Sequence, residues 1–331
     1  MAFYSYIFSA NYSRFFRSLK QVAKAEGKFF PALVADTAWC VFRYGFALSD
    51  YLNYEIYRRT SAQRREYVGV RTQNGFYETV SPSQYKKRYT VKHRFLEEFK
   101  EYTKREFIVP AEGNFDAFSA FLDRHTAFMR KPYDGLGGQG VDKVYTKDIT
   151  DRQAYFEDCI ATRSFLEQLV IQHPDMNRLC AKSVNTIRIM TFNDHGKSEI
   201  LWMGLRVGDG AHSVDNFHAN GMGVKIDMQT GCLVGEAIDK NNTHFTEHPA
   251  TGVRFDGFQI PCFDEAREMV LKASLESDKI LVVGWDVAIS ENGPVIIEGN
   301  RRPGFDLVQV LDDRGRMDMI RSVLARCPEE R

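Results

Sequence analysis

Two carboxylates and a carboxamide stand out near the C-terminal end because they sit in strongly apolar text. In Trp285-Asp286-Val-Ala-Ile-Ser290-Glu-Asn-Gly293-Pro-Val-Ile-Ile-Glu298-Gly-Asn300, Glu298 and Asn300 are two apart and, on a strand, project from one face. A three-residue loop Glu291-Asn292-Gly293, with Gly293 left-handed, pairs Ser290 with Pro294 and sets Asp286 opposite Glu298. The three oxygen-bearing side chains then converge. Such hard donors suit magnesium, which takes a few protein oxygens and completes its shell with phosphate and water. The alternative is a solvated edge hairpin with ordinary surface carboxylates. Against it, Val295-Ile296-Ile297 carries Glu298 to the end of a core, where an unpaired carboxylate is costly.

A second candidate is Lys131-Pro-Tyr-Asp-Gly135-Leu-Gly137-Gly138-Gln-Gly140-Val. It contains a literal GxGxxG at Gly135, Gly137 and Gly140, but a dinucleotide fingerprint needs a strand running straight into the glycines and a helix after them. Here Lys131 and Pro132 intervene, and Val141, Val144 and Tyr145 continue as a strand. Val141 after Gly140 also rules out a Walker A loop. What remains is a flexible loop between two strands with a lysine at its entrance. Glycines let backbone N–H groups converge on phosphate oxygens while the lysine supplies a point charge. The rival reading is an ordinary turn.

A lysine before a glycine loop, a hydrophobic strand ending in Glu-Gln-Leu-Val, and a closing Asp then Glu-x-Asn together resemble the layout of the ATP-grasp superfamily. The resemblance is closest to its sugar-transfer-associated family, through Val184-Asn-Thr-Ile-Arg188-Ile, Val214-Asp-Asn-Phe-His-Ala-Asn-Gly221, Gly284-Trp-Asp-Val-Ala-Ile and Pro294-Val-Ile-Ile-Glu-Gly-Asn. It covers about residues 80 to 310. The resemblance implies ATP and Mg2+, with Lys131, Gly137 and Gly138 on the phosphates and Lys92 as an earlier phosphate lysine. Glu167 is implied as a hinge residue, with the carbonyl of Gln168 and the N–H of Val170 on the adenine edge and Asp175 near the ribose. Asp286, Glu298 and Asn300 are implied as magnesium ligands, and Arg188, Arg206 and Asn216 as catalytic residues. The two arginines could instead be structural partners of local Asp and Glu residues, a reading that weighs as much as the catalytic one for Arg206. The stretch Asp215-Asn216-Phe217-His218-Ala219-Asn220-Gly221 is also similar to the Asn-x-His-Arg-Gly-Gly stretch of ribosomal-protein glutamate ligases, but has Ala-Asn where that pattern has Arg-Gly. That departure removes a cation.

The elements that must position these residues follow from periodicity. Phe15, Phe16, Leu19, Val22 and Ala23 recur at three and four and predict helix, as do residues 92 to 105 and a segment after Asn114, a good N-cap. Ala127-Phe-Met-Arg-Lys and Val141-Asp-Lys-Val-Tyr predict strands around the glycine loop, then a helix at about 151 to 162 and the strand beginning Ser164. Asn193-Asp194-His195-Gly196 predicts a hairpin turn between Thr186-Ile-Arg-Ile-Met-Thr-Phe and the strand beginning Glu199. Phe263, Ala266, Met269, Val270 and Ala273 lie on one face of a further helix. The order predicts an α+β protein with antiparallel sheets, and with the resemblance an ATP-grasp fold of two α+β subdomains clasping ATP behind a mostly helical N-terminal region. The expected divisions are residues 1–60, 61–110, 111–170 and 171–331.

The 331 residues carry 44 Lys plus Arg against 44 Asp plus Glu, which argues against a dedicated nucleic-acid binder. Residues 1 to 110 nevertheless hold 19 basic and 10 acidic side chains, so this third is able to face an anionic partner or simply to be a solvated face. No apolar run approaches a membrane span. The start has no signal-peptide pattern, and six scattered cysteines read as reduced thiols, so a cytoplasmic protein is expected. The function these readings point to is an ATP-dependent carboxylate–amine ligase working through an acyl phosphate. Its acid would be a small or sugar-linked carboxylate, as of a uronic acid, amino acid or peptide, in capsule or surface-polysaccharide biosynthesis beside glycosyltransferases. The alternatives are a kinase on the same scaffold and a non-catalytic nucleotide-binding partner of glycan enzymes.

Overall fold

In the computed structural model, which describes residues 12–134, 140–211, 221–277 and 279–327, no strand precedes Phe107. Helices Tyr12–Ala25, Phe30–Tyr44, Leu48–Asn53, Ser61–Glu66 and Val70–Val80 form the first part. Phe15, Leu19 and Ala23 are buried as their spacing requires, whereas Phe16 is turned outward. The helical pattern of residues 92 to 105 is split at Phe99 into Lys92–Glu98 and Lys100–Thr103.

Among the first helices lies a buried acid, Asp50, whose Oδ2 accepts the N–H of Ala47 at 2.8 Å. Burial, and then the nearby Asp306, push its carboxyl up to about 7 from 3.8. The folded protein therefore holds a proton between about pH 4 and 7 that the unfolded chain has released. Stability is present below that window and falls as pH rises through it. Between pH 5.5 and 8 the expected loss is on the order of 1–2 kcal/mol. It should appear as a lower urea midpoint at pH 8, with Asp50→Asn flattening the dependence; an unchanged slope in that variant would assign the effect elsewhere.

Strands β1 (Phe107–Ile108), β2 (Ala127–Pro132), β3 (Asp142–Tyr145) and β4 (Ser164–Gln168) form an antiparallel sheet in the order β1-β4-β2-β3. It therefore begins at Phe107, ahead of the expected division at 110/111. Helices Phe115–Arg124 and Arg152–Ala161 bury Phe118, Phe121, Leu122 and Phe156 against Phe128 and Leu166. Asn114 stands at the N-cap position, but its side chain bonds backward to Ala111 and Val109 and bridges the entering turn.

The larger antiparallel sheet has the order β11-β10-β5-β6-β7-β8-β9. Its strands are β5 (Thr186–Asp194), β6 (Lys197–Val207), β7 (Met222–Ile226), β8 (Leu233–Asp239), β9 (His244–Phe245), β10 (Val282–Ser290) and β11 (Gly293–Asn300). His195 and Gly196, at φ 50° and 95°, make the expected tight turn between β5 and β6. Because strand side chains alternate, Ile187, Ile189, Met203 and Trp285 face helix Phe263–Leu275. Met190, Phe192 and Trp202 face the other way, into a core shared with the N-terminal helices and with helices Asp306–Asp312 and Met317–Leu324. The architecture is α+β with antiparallel sheets.

Candidate active site

The β10–β11 hairpin reaches the expected pairing by a different route. Its loop has two residues, Glu291 and Asn292: Ser290 pairs with Gly293 and Ile289 with Pro294. That register by itself would set Ile297 opposite Asp286 and turn Glu298 to the wrong face. A bulge intervenes. Val287 pairs with Ile296, Ile297 is the extra residue, and Asp286 pairs with Glu298. The site thus rests on a one-residue insertion in the edge strand, a device common beside functional centres.

Asp286 is 1% exposed and held on two sides. Arg188, its direct partner on β5, donates from Nε to Oδ1 and from Nη2 to Oδ2 at 3.1 Å, while Arg206 Nη2 reaches Oδ2 at 2.9 Å. Arg206 also donates to Thr186 Oγ1 at 2.8 Å. Burial alone would raise the Asp286 carboxyl; the two guanidinium groups outweigh it and hold the acid below its ordinary range. Its neighbour goes the other way. The Glu298 side chain is exposed, yet the atoms packed around its carboxyl and then the Asp286 charge push that carboxyl up. Asn300 Nδ2 donates to Glu298 Oε1 at 3.2 Å. Two carboxylates and an amide on adjoining strands make a hard-oxygen set of the kind that could hold a divalent cation, whose charge would favour the ionised form of Glu298.

A second charged cluster joins the two sheets. Glu167 on β4 is 2% exposed and bonded to Arg105 Nε and, at 2.5 Å, to Lys131 Nζ on β2. These cations overcome the burial that would raise its carboxyl and hold it at about 2. Arg105 then continues across. Its Nη1 and Nη2 donate to the carbonyls of Ile296 at 2.8 Å and Ile297 at 3.2 Å, the residues of the bulge. One guanidinium ties the smaller sheet to the strand that carries Glu298. Sequence reading missed Arg105, which lies in a charged run that looks solvated. The available signal was Glu167 itself, a carboxylate inside an apolar strand that needs buried cations.

Beyond β4 the chain stays tied to this hairpin: Glu291 N donates to Ile171 O at 3.0 Å and His173 N to Ile289 O at 2.9 Å. Gln168 is fixed by backbone and side-chain bonds to Glu106, Val170 is half-buried in the following loop, and Asp175 is exposed in the first turn of helix Pro174–Leu179. Lys92 reaches the site because Gly299 has no side chain. A Cβ there would come within 2.7 Å of Phe95, so helix Lys92–Glu98 packs directly on β11. Lys92 Nζ is buried without a hydrogen-bond partner among the described residues. Burial and then Lys131 lower its pKa, while the charges of Glu298 and Glu167 oppose them. Gly137, Gly138 and Asn216, with Gly135 and His218, lie outside the described residues.

Solved structures similar to the chain include the ATP-grasp ligase PsnB complexed with minimal precursor, at 14% identity and a TM-score of 0.45, covering 75% of this chain and 64% of that one. The D-alanyl-alanine synthetase A from Vibrio cholerae follows at 11% and 0.43, covering 72% and 64%, and the D-cycloserine synthetase DcsG at 12% and 0.42, covering 74% and 73%. The chain spans less than two thirds of the length of the first two. No curated protein matches it. The family model of sugar-transfer associated ATP-grasp proteins matches residues 107–324, well over half of the sequence and both sheets, and the chain belongs to that family.

Proposed function

We propose that the protein is an ATP-dependent ligase that joins a carboxylate to an amine through an acyl phosphate, releasing ADP and phosphate. The observation that carries this reading is the ammonium of Lys92, buried beside Lys131 with no hydrogen-bond partner among the described residues. A cation held next to another cation is stabilised by a polyanion between them, and the phosphates of ATP supply one. In this reading Lys92, Lys131 and the loop containing Gly137 and Gly138 hold those phosphates. The Gln168 carbonyl and the Val170 N–H face the adenine edge, Asp175 stands near the ribose, and Glu167 acts by positioning Lys131.

Glu298, Asp286 and Asn300 would hold magnesium, which when bound neutralises phosphate charge. Arg188 is oriented by Asp286 before substrate arrives, so its charge meets the transferring phosphoryl group without reorganisation. Arg206 supports it from Thr186 and Asp286, and Asn216 is assigned a role beside them in catalysis. An oxygen of the acid attacks the γ-phosphorus and ADP leaves. The amine then attacks the acyl carbon and phosphate leaves. The family's association with sugar transfer favours a sugar-linked carboxylate, such as a uronic acid or its amino-acid or peptide conjugate, in surface-polysaccharide synthesis near glycosyltransferases. The working division places ATP between the parts 111–170 and 171–331, with 1–60 and 61–110 as the helical cover.

The test is trapping of the activated acid. With ATP, magnesium, hydroxylamine and a panel of uronic and amino acids, the protein should release ADP and yield a hydroxamate with at least one acid. A phosphate ester without hydroxamate would make it a kinase on this scaffold, and nucleotide binding without turnover of any substrate would favour the non-catalytic partner.

A further inference from the structure

We propose that the N-terminal helix pair docks the protein on the surface of an anionic lipid bilayer. Helix Phe30–Tyr44 is apolar nearly all round, yet only one side of it is covered. Leu33, Thr37, Cys40 and Val41 are buried. On the opposite side Ala32, Ala35, Trp39 and Phe42 recur at intervals of three and four and are exposed, preceded by exposed Phe29. The large ones are not marginal: Phe29 is 73% exposed, Trp39 60% and Phe42 69%. Asp36, the one charged residue between Ala32 and Phe42, is half-buried and paired with Arg64. A contiguous aromatic face of this kind marks an interaction surface.

The charge beside the stripe selects the occupant. Helix Tyr12–Ala25 packs on the same pair through the Phe16 and Phe30 rings, 6.5 Å apart, and Lys20 lies 5.6 Å over the Phe30 ring. Arg14, Arg17, Lys20, Lys24, Lys28 and Arg43 are all exposed. The acidic residues between Tyr12 and Tyr44, Glu26 and Asp36, are each paired with an arginine from a later segment, Arg58 and Arg64. The helix pair thus combines an exposed aromatic stripe with exposed charges that are positive, the pattern of helices lying in the interface of an anionic membrane. A second copy of the same face would bring like charges together. Among the described residues no helix is long and apolar enough to cross a membrane, so the contact lies on the bilayer surface.

Trp39 reports on this without a label, because the other two tryptophans, Trp202 and Trp285, are buried. The full chain should float with vesicles containing phosphatidylglycerol and not with pure phosphatidylcholine. Trp39 emission should shift to the blue on binding, and rising salt should release the protein. Trp39→Ser combined with Phe42→Ser should weaken partitioning at least roughly tenfold with an unchanged urea midpoint, and Lys20→Glu with Lys24→Glu should abolish the preference for anionic lipid. Four results would overturn the proposal: no flotation at low salt, equal binding to neutral vesicles, Trp39 emission already blue-shifted in the free protein, or a dimer that Trp39→Ser dissolves. The last two would assign the face to the chain itself or to a second copy.

Discussion

An Arg105→Met variant is expected to unfold at lower urea, with a loss on the order of 3 kcal/mol, and to lose most of its ATP turnover. The reason is what Arg105 leaves behind. Glu167 is buried, and breaking a buried ion pair by removing one partner typically costs about 3–5 kcal/mol, because the other charge remains uncompensated. Lys131 still holds Glu167 at 2.5 Å, which places the expectation at the lower end. The carbonyls of Ile296 and Ile297 lose their donors as well, so the bulge that turns Glu298 toward Asp286 is released. A double-mutant cycle with Glu167→Gln should show that the two losses do not add, since both remove one network. Additive losses, or full turnover in Arg105→Met, would mean that the bridge between the sheets does not position the site.

Some of this arrangement is written locally in the sequence and some is not. The β5–β6 hairpin is local: His195-Gly196 can occupy a turn with two positive φ values, and alternation in the flanking strands fixes the rest. Helix Phe263–Leu275 is equally legible, since each apolar position of its stripe is buried. The bulge is not. Val295, Ile296 and Ile297 are all apolar and all suit a strand, so no pattern says which of them drops out of register. The sequence reading assumed a three-residue loop, and the Asp286–Glu298 pairing it expected arises because the shorter loop and the extra residue compensate.

Charge patterns mislead for a related reason. Lys104-Arg105-Glu106 reads as solvated, but Arg105 is drawn inward by a carboxylate 62 residues later, a distance at which sequence has no period. Lys131, read as a phosphate ligand from its place before the glycines, has a protein partner as well. Helix Phe30–Tyr44 shows the opposite failure. Its composition suits a helix buried on every side, and only the packing shows that one side is left exposed by the described residues.

The charged floor of the site leads to the other large effect. Glu298→Gln should fold with a thermal midpoint near that of the parent, because the side chain opens to solvent and the amide keeps both the shape and the capacity to donate to Asp286. Asp286 keeps Arg188 and Arg206 and remains ionised. What changes is the ligand set. One anionic oxygen donor becomes a neutral carbonyl in the set proposed to hold magnesium, which binds carboxylates far better than amides. ADP formation at saturating magnesium should therefore fall by a factor on the order of 10² or more, comparable to removing a charge-stabilising group from a transition state. Binding gives an independent reading: manganese, followed by its paramagnetic signal in the presence of a nonhydrolysable ATP analogue, should be retained by the parent and lost by the variant. A Glu298→Gln protein that turns over normally and still holds manganese would remove the carboxylate pair from the chemistry. The Asp286–Glu298 register would then be a structural pairing whose charge is balanced by the two arginines alone.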